Sequence, residues 1–197
     1  AANASSANAG TFDKQVASLD TAVGLCTASN GDVIRVAAGH AETITAAAGI
    51  DLDVAGITVI GQGNGTDKPT ITMGTATTAT MRVNAANVTL RNFRFVGNID
   101  SLVKFIDVNA DNFTIEDCEF VTSSAKEATS FINVATTKDN LIVRRCTFIQ
   151  PTDPAGTDGA ADTGAIFCVD TEYVTVEDCH FNGSFETAIF HNRTTKV

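Results

Sequence analysis

The chain has no tryptophan, one tyrosine (Tyr173), two methionines and three prolines in 197 residues. Without Trp and with so little Tyr, the aromatic platforms that often stack on sugars are scarce. Lys plus Arg number 13 against 23 Asp plus Glu, a net charge of −10, and no basic cluster occurs. A nucleic-acid surface needs a positive footprint, so no nucleic-acid partner is expected. No apolar run approaches 18 residues, which predicts no membrane-spanning helix and no membrane partner. No signal peptide is visible, and one already removed would leave the same sequence. The five cysteines show neither a CxxC nor a Cys/His spacing suited to zinc, and no metal or cofactor is expected.

What is present is a repeat. A nine-residue pattern occurs as NVTLRNFRF from Asn87, NFTIEDCEF from Asn112, NLIVRRCTF from Asn140 and YVTVEDCHF from Tyr173. Apolar residues fall at its second, fourth, seventh and ninth positions, so two short period-two strands flank a break. The copies start 25, 28 and 33 residues apart, one full coil of chain each and too irregular for helical pairs. A unit this small cannot bury its own apolar face, so copies must stack. The fold class predicted is all-β: a single-chain parallel β-helix with a short N-terminal capping helix.

Stacking in register places equivalent positions about 4.8 Å apart, which makes columns readable. The ninth position gives an inward column of Phe95, Phe120, Phe148 and Phe181. The seventh gives Phe93, Cys118, Cys146 and Cys179, also inward. The fifth gives Arg91, Glu116, Arg144 and Glu177, outward and alternating in sign, as cross-strand charge pairing favours. Before each copy lies another strand: TMRVN at 80–84, FIDVN at 105–109, FINVA at 131–135 and IFCVD at 166–170. Their alignment predicts Met81, Ile106, Ile132 and Phe167 inside, with Val83, Val108, Val134 and Val169. Arg82, Asp107, Asn133, Cys168 and then His191 are predicted outside, and Cys168 is the thiol expected to be reactive. Earlier coils are expected at 33–37, 50–54, 57–61 and 70–73, with turns at Gly31-Asp32, Gly61–Gly65 and Asp67-Lys68-Pro69.

The domain boundaries follow. Residues 1–10 are small and polar, a flexible arm. Residues 11–27 read as a capping helix, with Phe12, Val16, Leu19, Val23 and Cys26 on one face and Thr11 as N-cap. Residues 28–197 form the β-helix, with 151–164 as an exposed loop. The absence of an initiating Met and the new inward Ile189 and Phe190 near the last residue predict coils or a docked subunit beyond Val197.

The same columns hold the residues that chemistry would need. Asp51 with Asp53, and Asp117 with Asp178 and Asn92, are the carboxylate groupings a calcium ion would need, but Arg145 falls between the latter two and favours simple charge balance. His40, His180 and His191 come from distant coils, and His180 lies two rungs from Glu119, beyond hydrogen-bonding reach. Gly61–Gly65 opens no helix and reads as a turn, not a phosphate loop. Of six Asn-x-Ser/Thr matches, those at Asn87 and Asn112 arise from the repeat itself. Asn87, Asn112 and Asn140 are expected to form an internal corner ladder bonding backbone groups between coils.

The coil pattern after residue 30 resembles right-handed parallel β-helix proteins of the pectin-lyase-like superfamily. Residues 31–103, with Gly39-His40-Ala41-Glu42-Thr43 as a turn and DVAGITVIG at 53–61, resemble β-helix structural proteins encoded among the virion genes of tailed bacteriophages. That resemblance implies a component on the exterior of a phage particle: a capsid decoration, a head fibre or a tail-associated protein. Other virion proteins would be its partners, a homo-oligomer is expected (a trimer by analogy with tailspikes), and a host-surface glycan is a further partner. It brings no catalytic residues. Polygalacturonase signatures are absent, with no Asp-Asp, Gly-His-Gly or Arg-Ile-Lys, and no pectate-lyase or pectin-esterase motif appears. The alternative is an extracellular or spike-borne protein that binds or cleaves polysaccharide through Arg82, Asp107, Asn133, Cys168 and His191 or the 151–164 loop.

Overall fold

The computed structural model describes residues 15–123, 126–151 and 164–192. Eighteen strands form six coils of three. The first coil is β1 (Val33–Val36), β2 (Ala41–Ile44) and β3 (Ile50–Leu52). The second is β4 (Thr58–Gly61), β5 (Thr70–Met73) and β6 (Met81–Val83), and the third β7 (Thr89–Arg91), β8 (Arg94–Gly97) and β9 (Leu102–Val108). The fourth is β10 (Thr114–Glu116), β11 (Glu119–Thr122) and β12 (Ala128–Val134). The fifth is β13 (Ile142–Arg144), β14 (Thr147–Gln150) and β15 (Gly164–Val169), and the sixth β16 (Thr175–Glu177), β17 (His180–Gly183) and β18 (Thr187–Asn192). Each strand pairs in parallel with its counterparts one coil away, which makes three six-stranded sheets around one core. The chain is a parallel β-helix.

The predicted aromatic column is present. Phe120 pairs with Phe95 and Phe148, and Phe148 with Phe181. Their rings stack at 4.8, 5.0 and 5.0 Å, with interplanar angles of 12°, 7° and 7°. A second stack, Phe105 on Phe131 at 4.9 Å, meets Phe120 edge-on from the third sheet. Aromatic contacts of this kind contribute roughly 0.5–1.5 kcal/mol each beyond the area they bury.

The corners explain why the nine-residue pattern begins as it does. Ser29, Gly56, Asn87, Asn112, Asn140 and Tyr173 occupy one column, and all six have φ between 56° and 77°. The backbone N–H of each of the first five donates to the residue preceding its neighbour in the next coil. Asparagine and glycine accept this left-handed conformation most readily, which accounts for three Asn and a Gly there. Asn92, Asp117, Arg145 and Asp178 form a second left-handed column, at the break between paired strands. The Asn ladder is therefore external, not internal: Asn87, Asn112 and Asn140 are exposed, and Asn140 Nδ2 donates to Asn112 Oδ1 at 2.8 Å. Turning the chain outward at a left-handed corner points the side chain to solvent and leaves the coil-to-coil bonding to the backbone.

The helix is shorter than expected. It spans Leu19–Val23, with Ser18 as N-cap, its hydroxyl accepting from the Thr21 N–H. Thr11, Phe12 and the 1–10 arm lie outside the described residues. Leu19 and Val23 are buried against the first coil. Two side-chain contacts fasten the helix to the free edges of that coil: Asp51 N–H of β3 donates to Asp20 Oδ1, and Leu19 N–H donates to Glu42 Oε2 of β2. Glu42 therefore belongs to a strand. The stretch Gly39–Thr43, read from sequence as a turn, is a turn only at its start, and Ala41–Ile44 pairs with Thr70–Met73. No helix among the described residues is long and apolar enough to cross a membrane.

Candidate functional site

Two surfaces concentrate side chains that the core does not use: the outer face of the third sheet and the far edge of the sixth coil. On the outer face one column runs Asp51, Arg82, Asp107, Asn133, Phe167 and Phe190. This corrects the predicted register in β15 and β18. Ile166, not Phe167, pairs with Ile132, and Cys168 pairs with Val134. Cys168 is thus inward and 0% exposed, and Val169, also expected inside, is half-buried. His191 pairs with Cys168 and continues the inward column at the last rung, where its Nε2 lies 2.9 Å from the Thr171 carbonyl oxygen.

The cause is volume. A shift of one residue exchanges every inward and outward side chain of a strand. Phe105 and Phe131 stack inside, but the next position in that column is Ala165. The space beneath Phe131 is filled from across the core by Phe185, 5.6 Å away. With Ala165 and Ile166 buried there, Phe167 is turned out and stacks on Phe190 at 4.2 Å and 11°.

The polar half of this face is a chain of struts. Asp107, only 7% exposed, accepts from Lys104 Nζ at 2.7 Å and from Asn109 Nδ2 at 3.4 Å, and Arg82 Nε is 3.6 Å away. Asn109 donates to Asn84, and Asn84 to Asp51. Burial pushes the Asp51 carboxyl above its ordinary value, against the Asn84 hydrogen bond. Asp53 lies past the end of β3 and is exposed. These contacts tie successive coils together and occupy the Asp107 carboxylate and Asp51 Oδ2, whereas Asp51 Oδ1 is buried with no hydrogen-bond partner among the described residues. Asn133 shows no such tie among the described residues.

The charge column of the first sheet keeps its register, since Glu116 pairs with Arg91 and Arg144, and Arg144 with Glu177. The ion pairs extend one residue beyond it. Arg91 reaches Asp117 at 2.9 Å and Arg144 reaches Glu177 at 3.0 Å. Arg145 bridges Asp117 and Glu116 at 2.7 and 2.8 Å. Arg94 and Glu119 pair at 3.4 Å in the outward column that ends on exposed His180. His40 is 3.2 Å from Glu42, far from both other histidines in the fold. Among the described residues no three or more His, Cys, Asp or Glu side chains converge as metal ligands. Cys118, Cys146 and Cys179 stack along the inner column, each thiol donating to a backbone carbonyl. Neighbouring thiols and burial push Cys146 and Cys179 well above the ordinary thiol range, and burial alone pushes Cys168 up to about 12.

The second surface is the edge of the sixth coil. β16, β17 and β18 each terminate a sheet, and no element among the described residues pairs with their far sides. Val174, Val176, Cys179, Phe181 and Phe185 are only partly buried there, and Ile189 is 40% exposed. Residues 164–192 carry five carboxylates and neither Lys nor Arg, whereas residues 126–151 carry four Lys or Arg against two carboxylates. The edge is apolar at its centre and acidic at its rim.

No family model, curated protein or solved structure matches this chain. The sequence reading found the sign-alternating column Arg91, Glu116, Arg144 and Glu177 and the inward aromatic column that end at the edge. It missed the Phe167–Phe190 pair, whose only signal was the small Ala165 where Phe105 and Phe131 precede it.

Proposed function

We propose that this protein is a structural or attachment component of a phage particle, a stiff β-helical element that works by docking rather than by catalysis. The observation that carries this reading is the contrast between the two ends. The first coil is closed by Leu19, Val23, Asp20 and Glu42. The sixth presents strands unpaired on their far sides among the described residues, over a partly exposed apolar section. Free strand edges invite pairing, and proteins ordinarily cover or blunt them unless they are used. The resemblance of residues 31–103 to virion β-helix proteins supports a use on the outside of a tailed phage, as a capsid decoration, head fibre or tail-associated protein. Three continuous parallel sheets satisfy the backbone internally and suit a rod that must resist proteases and shear. The superfamily, the virion setting and assembly into an oligomer all belong to this proposal.

The test is immunogold electron microscopy of purified, nuclease-treated particles, with antibodies against the folded chain. Regular labelling of the particle exterior is expected, and recovery of the chain only in the soluble fraction overturns the reading.

A second reading is favoured by one observation, the outward Phe167–Phe190 stack beside Asn133. Aromatic faces next to an amide suit a saccharide. Here the outer column acts as an adhesin for a host-surface glycan, with Phe167 and Phe190 in the positions first assigned to Cys168 and His191. Glycan-array binding lost in Phe167→Ala, without release of reducing ends or unsaturated products, supports it. Product release instead would identify an enzyme.

A further inference from the structure

The edge of the sixth coil has a chemistry specific enough to describe its partner. The turn between the first and second sheets reads Glu116-Asp117-Cys118-Glu119-Phe120 in the fourth coil and Glu177-Asp178-Cys179-His180-Phe181 in the sixth. Between them, the fifth coil reads Arg144-Arg145-Cys146-Thr147-Phe148. The alternation is structural. Asp117 has an arginine on each side, Arg91 and Arg145, at 2.9 and 2.7 Å. Asp178 occupies the same left-handed position two coils on, and no hydrogen bond or ion pair joins it to the described residues. Glu177 is met by Arg144 from one side only, where Glu116 lies between Arg91 and Arg144 in register. The aromatic column likewise stops at Phe181, stacked on Phe148 by one face.

We propose that the sixth-coil edge docks a basic strand pair of another polypeptide. The docking strands run parallel to β16 and β17 and carry Arg or Lys at two consecutive positions, opposite Glu177 and Asp178. An aromatic residue three positions later lies over Phe181. Main-chain pairing supplies affinity along β16 and β17, and the charge and ring columns set register. This inference rests on the docking role proposed above and names the partner's chemistry. Charge separates this occupant from a second copy of the chain. Two sixth-coil edges brought together would oppose Glu177 and Asp178 to like charges, which is unfavourable in cross-strand pairs.

The probe is a labelled synthetic peptide with the sequence of residues 138–151, Cys146 replaced by Ser, at up to millimolar concentration. Its comparison peptide carries Glu in place of Arg144 and Arg145. Hydrogen exchange of the free protein comes first. Fast exchange along β16–β18 is expected, and slow exchange there means that the edge is already covered and overturns the proposal. Fluorescence anisotropy should then show the basic peptide binding at least ten-fold more tightly than the acidic one, with new protection in hydrogen exchange confined to β16 and β17. The Glu177→Lys/Asp178→Lys variant, with its β-sheet circular dichroism intact, should reverse that preference. Equal binding of the two peptides, or no binding, overturns the proposal, as does concentration-dependent self-association that the same variant abolishes. Particle labelling is an independent readout. Labelled particles with no peptide preference refute the partner chemistry alone, and unlabelled particles refute the virion role.

Discussion

Arg145 holds Asp117 across one rung of the β-helix, Nε to Oδ1 at 2.7 Å and Nη2 to Oδ2 at 3.3 Å, while Arg91 reaches the same carboxylate from the opposite rung. Both residues sit in left-handed backbone, so the pair also steadies two unfavourable corners. The Arg145 hydrogen bonds and charge hold the Asp117 carboxyl below its ordinary 3.8. A group depressed in the folded state stabilises fully above its unfolded pKa and loses that contribution as pH falls through the folded one. Stability should therefore decline below about pH 4, by an amount limited to roughly 1 kcal/mol because the cluster is solvent-accessible. Urea midpoints measured from neutral pH downward should fall less steeply in Asp117→Asn, which keeps a side chain suited to the corner. An identical slope would assign the acid sensitivity elsewhere.

Asp51 should act with the opposite sign. Its carboxyl is raised by burial, so the folded chain favours the protonated form, and its ionised form opposes folding above the folded pKa. Asp51→Asn, which keeps a hydrogen-bonding partner for Asn84, should stabilise the protein at neutral pH and lose that advantage in acid. A variant less stable at neutral pH would show that the Asn84 contact outweighs the burial.

Tyr173 is 74% exposed with φ of 56°, in a column otherwise filled by Ser, Gly and Asn. It gains little from burial and bears the left-handed penalty of roughly 1–2 kcal/mol that Asn partly escapes. Tyr173→Asn should raise stability by about 0.5–1 kcal/mol in urea unfolding. A loss would mean that the tyrosine ring makes contacts that its exposure belies.

Phe120 touches four other rings: Phe95 and Phe148 face-on, Phe105 and Phe131 edge-on. Phe120→Ala should cost about 3–5 kcal/mol, the range for emptying a large core position. Phe190→Ala, which removes one outward ring of a half-exposed pair, should cost far less. Comparable losses would contradict the assignment of inside and outside.

The cysteines test that assignment chemically. Cys118, Cys146 and Cys168 are buried, with Cys146 and Cys168 also raised in pKa, so the native protein should alkylate slowly at them and rapidly once unfolded. Mass spectrometry after brief iodoacetamide treatment at pH 8 gives the readout. Fast native labelling of Cys168 would restore the outward register first expected.

How far the fold was legible follows from these residues. Phe95, Phe120, Phe148 and Phe181 were readable because period-two alternation and a recurring nine-residue spacing fix register together. Arg91, Glu116, Arg144 and Glu177 supported the same register by sign. Cys168 and His191 were misplaced because a strand in isolation has two equivalent faces. The deciding contact, Phe185 beneath Phe131 beside Ala165, comes from a distant part of the coil. Strand β2 was missed because Gly39 and His40 signal a turn and the four-residue strand opens on Ala41 and Glu42, residue types depleted in strands, before Thr43 and Ile44. The excess of carboxylates in 164–192 was countable in the sequence, but only the strand order shows that they border an edge unpaired among the described residues.

Ring-to-ring nuclear Overhauser contacts in phenylalanine-labelled protein give the most direct test of coils stacked in parallel about one core. Contacts are expected in the unbroken series Phe95–Phe120, Phe120–Phe148 and Phe148–Phe181, at centroid spacings of 4.8, 5.0 and 5.0 Å. Phe120 without contacts to both Phe95 and Phe148, or Hα–Hα contacts typical of antiparallel strands between Thr114–Glu116 and Ile142–Arg144, would contradict it.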